Sequence, residues 1–420
     1  MTGTIALWGN FGAGNWGNEC TLEAVVHNLR RRMPEARLVC VCSDPEDVRR
    51  RHGIEAVPIG QRRRDAVAGM AWTRGAGFAR RASGEVGAWW SALGLARGVD
   101  AMLMTGTGML SDVGEGAFGL PYELFMWSSA VRARGGRVAF ASVGVEPIED
   151  PLTKFFLFAA LRMADYRSYR DQPSRDRLRE IGFEDPEAAV YPDLAFSLPE
   201  SATAARLSRP RPARSTVAVG LFDYRGRGQH GGEDAVAYRA YLDKIGGFVL
   251  WLLERGHAVR LLIGDLTYDE PVLRDVREWL AAHGGDRHSG RIEDEPARSV
   301  EDVMDQIAGV DLVVASRFHN VLLALLLGRP VLSIAYNEKN DALMERMGLG
   351  TYCDSIDRFA LDLLCDRFEG LRREAPRLRP LILAKGAAFR RDLDRQYDAL
   401  FPPAPQAREP RPDHASAKRV

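Results

Sequence analysis

Ser316, Arg317 and His319 sit together where an apolar run, Asp311 to Ala315, gives way to an apolar helical stretch. A second apolar run, Pro330 to Ala335, then delivers Tyr336, Asn337 and Lys339. Arginine offers a planar fork of N–H donors to a carboxylate or phosphate. Histidine gives or takes a proton near neutral pH. The N-terminus of the helix after such a turn adds free N–H groups and a positive dipole end. Together these residue types describe a site for a small polyanion undergoing acid–base chemistry. Singly, each has a plainer reading: Ser316 as an N-cap, Arg317 as a solvated cation, His319 as a satisfied core histidine.

Other loops carry polar residues of the right kind. Gly9 to Glu19 (GNFGAGNWGNE) has four glycines and three asparagines. Glycines let backbone approach a ligand closely, and Asn15, Asn18 and Glu19 could meet sugar hydroxyls. Asn18 equally reads as the N-cap of the following helix. A tight turn, Gly106-Thr107-Gly108, precedes Asp112, which could orient a hydroxyl or cap the next element. Phe222 to Gly232 (FDYRGRGQHGG) brings Arg225, Arg227 and His230 after another strand, and Gly264-Asp265 follows the next. Arg170–Asp171 and Asp193 read mainly as structural pairs or caps.

These loops need a frame, and the sequence supplies one. Strand-like runs at Thr4–Trp8, Arg37–Cys42, Ala101–Thr105, Arg137–Ser142 and Tyr166–Tyr169 alternate with helical patterns at Glu19–Arg32, Pro121–Arg134 and Pro151–Ala164. The alternation restarts at Thr216 and continues through Ala335. Such a pattern predicts parallel sheets with helices on both faces, hence an α/β protein of two Rossmann-like domains. Residues 1–198 form the first by this reading and 216–400 the second. The Pro/Ser/Arg-rich stretch 199–215 reads as a linker, and 401–420 as a disordered tail. Ligands in such sheets bind beyond the carboxyl ends of the strands, so the cleft between the domains is the expected site.

Composition narrows the classes. With 57 basic and 57 acidic residues the formal charge is zero, which disfavours a dedicated nucleic-acid binder. The five cysteines are scattered without CxxC spacing, which fits a reducing compartment better than a disulfide scaffold. The opening MTGTIALWGN has no secretory pattern. The strongest local bias is Arg49 to Arg81, with nine arginines against Glu55 and Asp65. Val67 to Leu95 adds Trp72, Phe78, Trp89 and Trp90. Together they read either as a solvated insertion or as a peripheral contact with anionic lipid.

SRFHNVLLALLLGRPVLSIAYNEK resembles the C-terminal signature of the polysaccharide pyruvyl transferase family: S-R-x-H, a small-residue-rich helix, G-x-P and Y-x-x-K. Gly9–Glu19, Gly106–Asp112, and Tyr169–Gly182 followed by Asp193 resemble three further family segments. The family's loop aspartate stands here as Asn18, and its triple glycine as Gly106-Thr107-Gly108. The resemblance implies a GT-B-like pair of domains and phosphoenolpyruvate as co-substrate, with no metal or other cofactor. The product it implies is a pyruvate ketal on a saccharide acceptor, free or lipid-linked. It assigns His319 as acid and Arg317 as anchor. Ser316, Arg225, Tyr336, Lys339 and Gly264 fall on the donor side. Asn15, Asn18, Glu19, Gly106 and Asp112 fall on the acceptor side. A cytoplasmic protein, with or without contact to the inner membrane face, is the expectation. Two rivals remain open: a glycosyltransferase of the same fold using Glu338 for a nucleotide sugar, and a non-catalytic binding relative.

Overall fold

The computed structural model describes residues 3–60, 77–106, 108–112, 116–208, 214–225 and 234–402. Its first sheet comprises β1 (Thr4–Trp8), β2 (Arg37–Cys42), β3 (Glu55–Pro58), β4 (Ala101–Thr105), β5 (Arg137–Val143), β6 (Tyr166–Tyr169) and β7 (Ala189–Val190). Their order is β3-β2-β1-β4-β5-β6-β7, parallel throughout. The second sheet comprises β8 (Thr216–Gly220), β9 (Ala258–Leu262), β10 (Ile292–Glu293), β11 (Leu312–Ala315), β12 (Val331–Ala335) and β13 (Cys353–Ser355). Its order is β10-β9-β8-β11-β12-β13, again parallel. The strand order reverses direction between β1 and β4, and between β8 and β11. Loops diverge at such switch points and leave a crevice.

Helices cover both faces. The first lobe has α1 (Trp16–Arg32), α2 (Pro45–His52), α3 (Gly77–Ala96), α4 (Leu120–Ala133), α5 (Pro151–Met163) and α6 (Gln172–Glu180). Next come α7 (Glu200–Leu207), α8 (Ala235–Glu254), α9 (Glu270–Ala282), α10 (Val300–Ala308), α11 (Phe318–Leu326), α12 (Glu338–Met347) and α13 (Leu361–Leu400). The central strands are buried on both faces, so they read as continuous apolar runs rather than alternating ones. α11 follows β11 and buries all its residues but His319, each large apolar side chain contributing about 1.5–3 kcal/mol.

Two stretches depart from the sequence reading. The predicted linker carries α7, whose Arg206 binds Asp305 of α10 at 2.6 Å and donates to the Glu301 carbonyl at 3.1 Å. Its irregular composition hides a helix that docks on the second lobe. α13, placed with the second domain by sequence, ends against the first. There Gln396 donates to Ser168 Oγ (2.7 Å) and accepts from Ser142 Oγ (3.0 Å), all three residues buried. Ser142 has φ +49°, uncommon for a residue with a Cβ, at a break of register in β5 between Phe140 and Val143. The break re-aims residues 144–146, and α13 holds it in place. Among the described residues no helix is long and apolar enough to cross a membrane. Thr107, Arg227, His230, Trp72, the side chain of Phe78, and residues 403–420 lie outside the described residues.

Candidate active site

The carboxyl ends of the two sheets face one another, and their loops are joined directly. Asn15 Nδ2 donates to Asp265 Oδ2 at 2.9 Å, Trp16 N to the Gly264 carbonyl at 3.1 Å, and Leu266 N to the Gly14 carbonyl at 3.1 Å. Asn15 also caps α1, accepting from Gly17 N and Asn18 N. α1 therefore begins three residues earlier than the sequence predicts, and Asn15, not Asn18, is its cap. Gly17 is needed as glycine: a Cβ there would overlap the His319 ring.

Between the lobes lies a cavity of about 230 Å³. The first lobe lines it with Asn15, Gly17, Asn18, Gly108, Glu146 and Arg170. The second supplies Gly264, Arg317, Phe318, His319, Asn320, Tyr336 and Lys339. Three fixed cations thus face one carboxylate. α11 has no side-chain N-cap, so its first-turn N–H groups remain for a ligand. The Asn320 amide nitrogen is buried there without a protein partner.

Each cation is braced from behind. Arg317 makes a bidentate pair with the fully buried Asp269, 2.9 Å from Nε and 2.6 Å from Nη2. Asp269 in turn accepts from Gly264 N and Asp265 N. Burial works against the Arg317 charge, but Asp269 outweighs it and holds the guanidinium pKa above its ordinary value. The guanidinium lies 4.6 Å over Phe222, which stacks on Tyr336 at 4.4 Å, and Lys339 Nζ lies 5.0 Å over that ring. Lys339 reaches across the cleft to Glu146 Oε1 at 3.0 Å. Burial opposes ionising Glu146, but Lys339, with Arg170 and Arg177, keeps its carboxyl below the usual range. Arg170 is buried against Asp171 (3.3 Å) and Asp193 (3.5 Å), 4.6 Å over Phe318.

His319 faces a carboxylate from the opposite lobe. Its Nε2 lies 3.7 Å from Asp193 Oδ2, and neither atom has a hydrogen-bond partner in the protein. Asp193 follows β7 and caps a short 3-10 turn through Ala195 N. Its burial disfavours the charge, but His319, Arg170 and the Ala195 N–H outweigh that and hold its pKa low.

Several expected residues lie elsewhere. Glu19 is turned beneath the glycine loop, accepting Gly12 N–H at 2.8 Å. Its position one step past Asn18 rotates it about 100° around α1, away from the cavity. Burial, despite that hydrogen bond, pushes its carboxyl up to about 7. Asp112 accepts Glu149 N–H and Asp150 N–H at 2.6 and 3.1 Å, fixing the entry to α5. Gly106 packs against the Ser142 carbonyl, where a Cβ would clash. Arg225 binds Asp223 at 2.8 Å and lies over Tyr238. Ser316 is buried behind Arg317, and its carbonyl accepts from Asn340 at 2.9 Å. Conversely, Arg170 and Asp193, structural by the sequence reading, and Glu146, which no motif marks, lie at the cavity or against His319. A signal is present for two of them: Arg170 directly follows β6 and Asp193 lies three residues past β7, at the carboxyl edge that faces the cleft.

The family model for polysaccharide pyruvyl transferases matches residues 15–338. The chain belongs to this family. A polysaccharide pyruvyl transferase is an enzyme of the transferase class acting on glycans, and the cavity residues from Asn15 to Tyr336 fall within the match. A search of curated proteins finds no match. Among solved structures, a Staphylococcus aureus MnaA–UDP co-structure is similar at 12% identity and TM-score 0.56, covering 95% of this chain and 97% of that one. A putative UDP-N-acetylglucosamine 2-epimerase from Listeria monocytogenes gives 12% and 0.59 over 95% and 97%. The apo galactosyltransferase WaaB gives 12% and 0.51 over 95% and 99%. At these identities the likeness establishes the shared two-lobed GT-B-type fold of this pyruvyl transferase family member.

The buried Glu19 gives the fold a pH dependence. Its folded pKa of about 7 lies above the ordinary 4.5, so the folded protein binds more protons between these values. Stability from this group therefore falls as pH rises through that window. In Glu19→Gln, which keeps an acceptor for Gly12 N–H, the loss of unfolding free energy between about pH 5 and about pH 8 should shrink by roughly 2–3 kcal/mol. Urea melts at the two pH values measure it, and an unchanged difference would contradict it.

Proposed function

We propose that this transferase moves the pyruvyl group of phosphoenolpyruvate onto two hydroxyls of a saccharide, closing a pyruvate ketal and releasing phosphate. The observation that carries the reading is the convergence of Arg170, Arg317 and Lys339 on the His319 imidazole in one interlobe cavity. The donor bears a carboxylate and a phosphate on three carbons, and fixed cations with a helix N-terminus suit both groups. The cavity, at about 230 Å³, is smaller than the roughly 300–1,000 Å³ of drug-sized sites. That favours a three-carbon donor over a nucleotide sugar. Glu338, which the rival reading would need for a ribose, is paired outside the cavity with Arg177 at 2.6 Å.

The chemistry follows from these positions. His319, as imidazolium, gives a proton to the methylene carbon while positive charge develops at C2. One sugar hydroxyl adds at C2. The C2–O bond to phosphate then breaks, and a second hydroxyl of the same sugar takes its place. The two hydroxyl protons end on the methyl carbon and on phosphate, with His319 reprotonated in each cycle. Arg317, Lys339 and Arg170 hold the donor's anionic groups, and Asp193 supports the imidazolium. The saccharide, a glycan or a glycan precursor on a lipid carrier, approaches from the Asn15–Asn18 side. The reading asks for no further cofactor and places the chain in the cytoplasm, where the donor is made.

Incubation with labelled phosphoenolpyruvate and a panel of saccharides tests the reading: phosphate release with a ketal-bearing product is expected. Protection and consumption of a nucleotide sugar instead would overturn it. Asp193→Asn keeps the cap on Ala195 N but removes the charge facing His319. Its rate should fall by about tenfold or more at neutral pH. A parent-like rate would remove Asp193 from the mechanism.

A further inference from the structure

We propose that Glu146 is a further catalytic residue: a displaceable counter-ion that yields Lys339 to the donor and then takes the proton of the attacking saccharide hydroxyl. This role rests on the reaction proposed above. It starts from an asymmetry among the three cations of the cavity. Arg317 is paired with Asp269, and Arg170 with Asp171 and Asp193. None of these three carboxylates lines the cavity, so both guanidiniums are held from outside it. Lys339 is different. Its partner Glu146, 3.0 Å away, lines the cavity itself. A donor anion that binds Lys339 must take the place of that carboxylate.

The backbone beneath Glu146 is tied down, so the side chain is the part left to move. Val145 N–H donates to Ser174 Oγ at 3.0 Å, Arg177 Nη1 donates to the Val145 carbonyl at 3.0 Å, and Glu146 N–H donates to the Leu110 carbonyl at 2.9 Å. Gly108 borders the carboxylate: a Cβ there would come within 3.0 Å of Glu146 Oε1. Glu146 belongs to the first-lobe wall of the cavity, as Asn15 and Asn18 do. Those two carry amides, which hydrogen-bond a hydroxyl but do not take its proton. Glu19 is committed to Gly12 N–H beneath the glycine loop. Among the described residues that line the cavity, Glu146 is the one carboxylate.

A change of partner alters what this carboxylate can do. Burial opposes its charge, but Lys339 at its side holds the carboxyl below its usual range, which makes it a weak base. Once the donor's phosphate holds Lys339, that attraction is shared and a second anion stands nearby. Both effects raise the carboxyl's hold on a proton. Donor binding thus strengthens the base that the acceptor needs. The first hydroxyl's proton passes to Glu146 as its oxygen bonds to C2. The same proton goes on to the phosphate as the C2–O bond breaks. The second hydroxyl's proton returns to His319, so both groups end as they began.

Glu146→Gln tests this role, because its amide oxygen still accepts from Lys339 while the charge and the basicity are gone. Both readouts use the full chain. Phosphoenolpyruvate alone, titrated by calorimetry, should bind the variant about threefold tighter or more, since no like charge competes for Lys339. With a saccharide that the parent turns over, phosphate release at saturating donor should fall by about 10²–10⁴-fold. A damaged fold would weaken binding and turnover together, so tighter binding with slower turnover is the signature. Donor binding no tighter than the parent's, or turnover within about tenfold of it, would overturn the proposal. A parent that turns over beside an equally active variant removes only the role of Glu146. A parent that neither binds nor consumes phosphoenolpyruvate removes the transfer reaction, and this role with it.

Discussion

His319→Ala is expected to lose phosphate release from phosphoenolpyruvate by about 10²–10⁴-fold, the usual contribution of a positioned general acid. The change should leave the fold intact. The imidazole Nε2 makes no hydrogen bond within the protein, and α11 is anchored by the apolar residues on its other faces. A melting temperature near that of the parent is therefore part of the expected result. His319→Gln keeps the size of the side chain without an acidic proton of comparable strength, and should fall with alanine rather than with the parent. Phosphate release assayed with saturating donor reads the effect. Turnover within about tenfold of the parent in both variants would take the acid away from this residue.

Gly17→Ala should be nearly as damaging, for a reason that lies in a neighbour. A Cβ at this position would occupy the space of the His319 ring. Either the imidazole leaves its place or the lobes separate, and a displacement near 1 Å costs on the order of 10²-fold in rate. Stability carries two opposing contributions: the strain of a Cβ against the ring, about 1–3 kcal/mol, and the helix preference of alanine. Gly17 lies in the first turn of α1 with no positive φ, and alanine is the better helix former by about 1 kcal/mol. An enzyme that still folds cooperatively, at least about 100-fold slower, separates a lost alignment from a lost fold. Parent-like turnover would show that the His319 ring need not stay where the structure has it.

The frame was legible because each of its signals is local. β1, β2, β4 and β6 match the apolar runs residue for residue, and S-R-x-H falls on the turn after β11, where periodicity places it. The elements that escaped are short or polar. α2 begins at a Pro after a capping Asp44 and reads as a turn, while β3, β10 and β13 are edge or near-edge strands of two to four residues. The site was half legible for a related reason. Arg317, His319, Tyr336 and Lys339 come from one segment, so their convergence could be read along the chain. Asp193, Arg170 and Glu146 join them only by lobe-to-lobe contact, which no spacing encodes. Glu19 and Asp112 show the reverse: the right residue type in the right loop, committed to backbone N–H groups instead.

The pair formed by Asp193 and His319 is split between the two halves of the molecule. Any motion that parts the halves also strips the imidazole of its counter-charge and draws Gly17 away from its ring. The His319–Asp193 pair is therefore complete only while the cleft is shut. Under the function proposed above, an enol phosphate held in a gaping enzyme would meet no armed acid, which would spare it from wasteful hydrolysis until both jaws had closed.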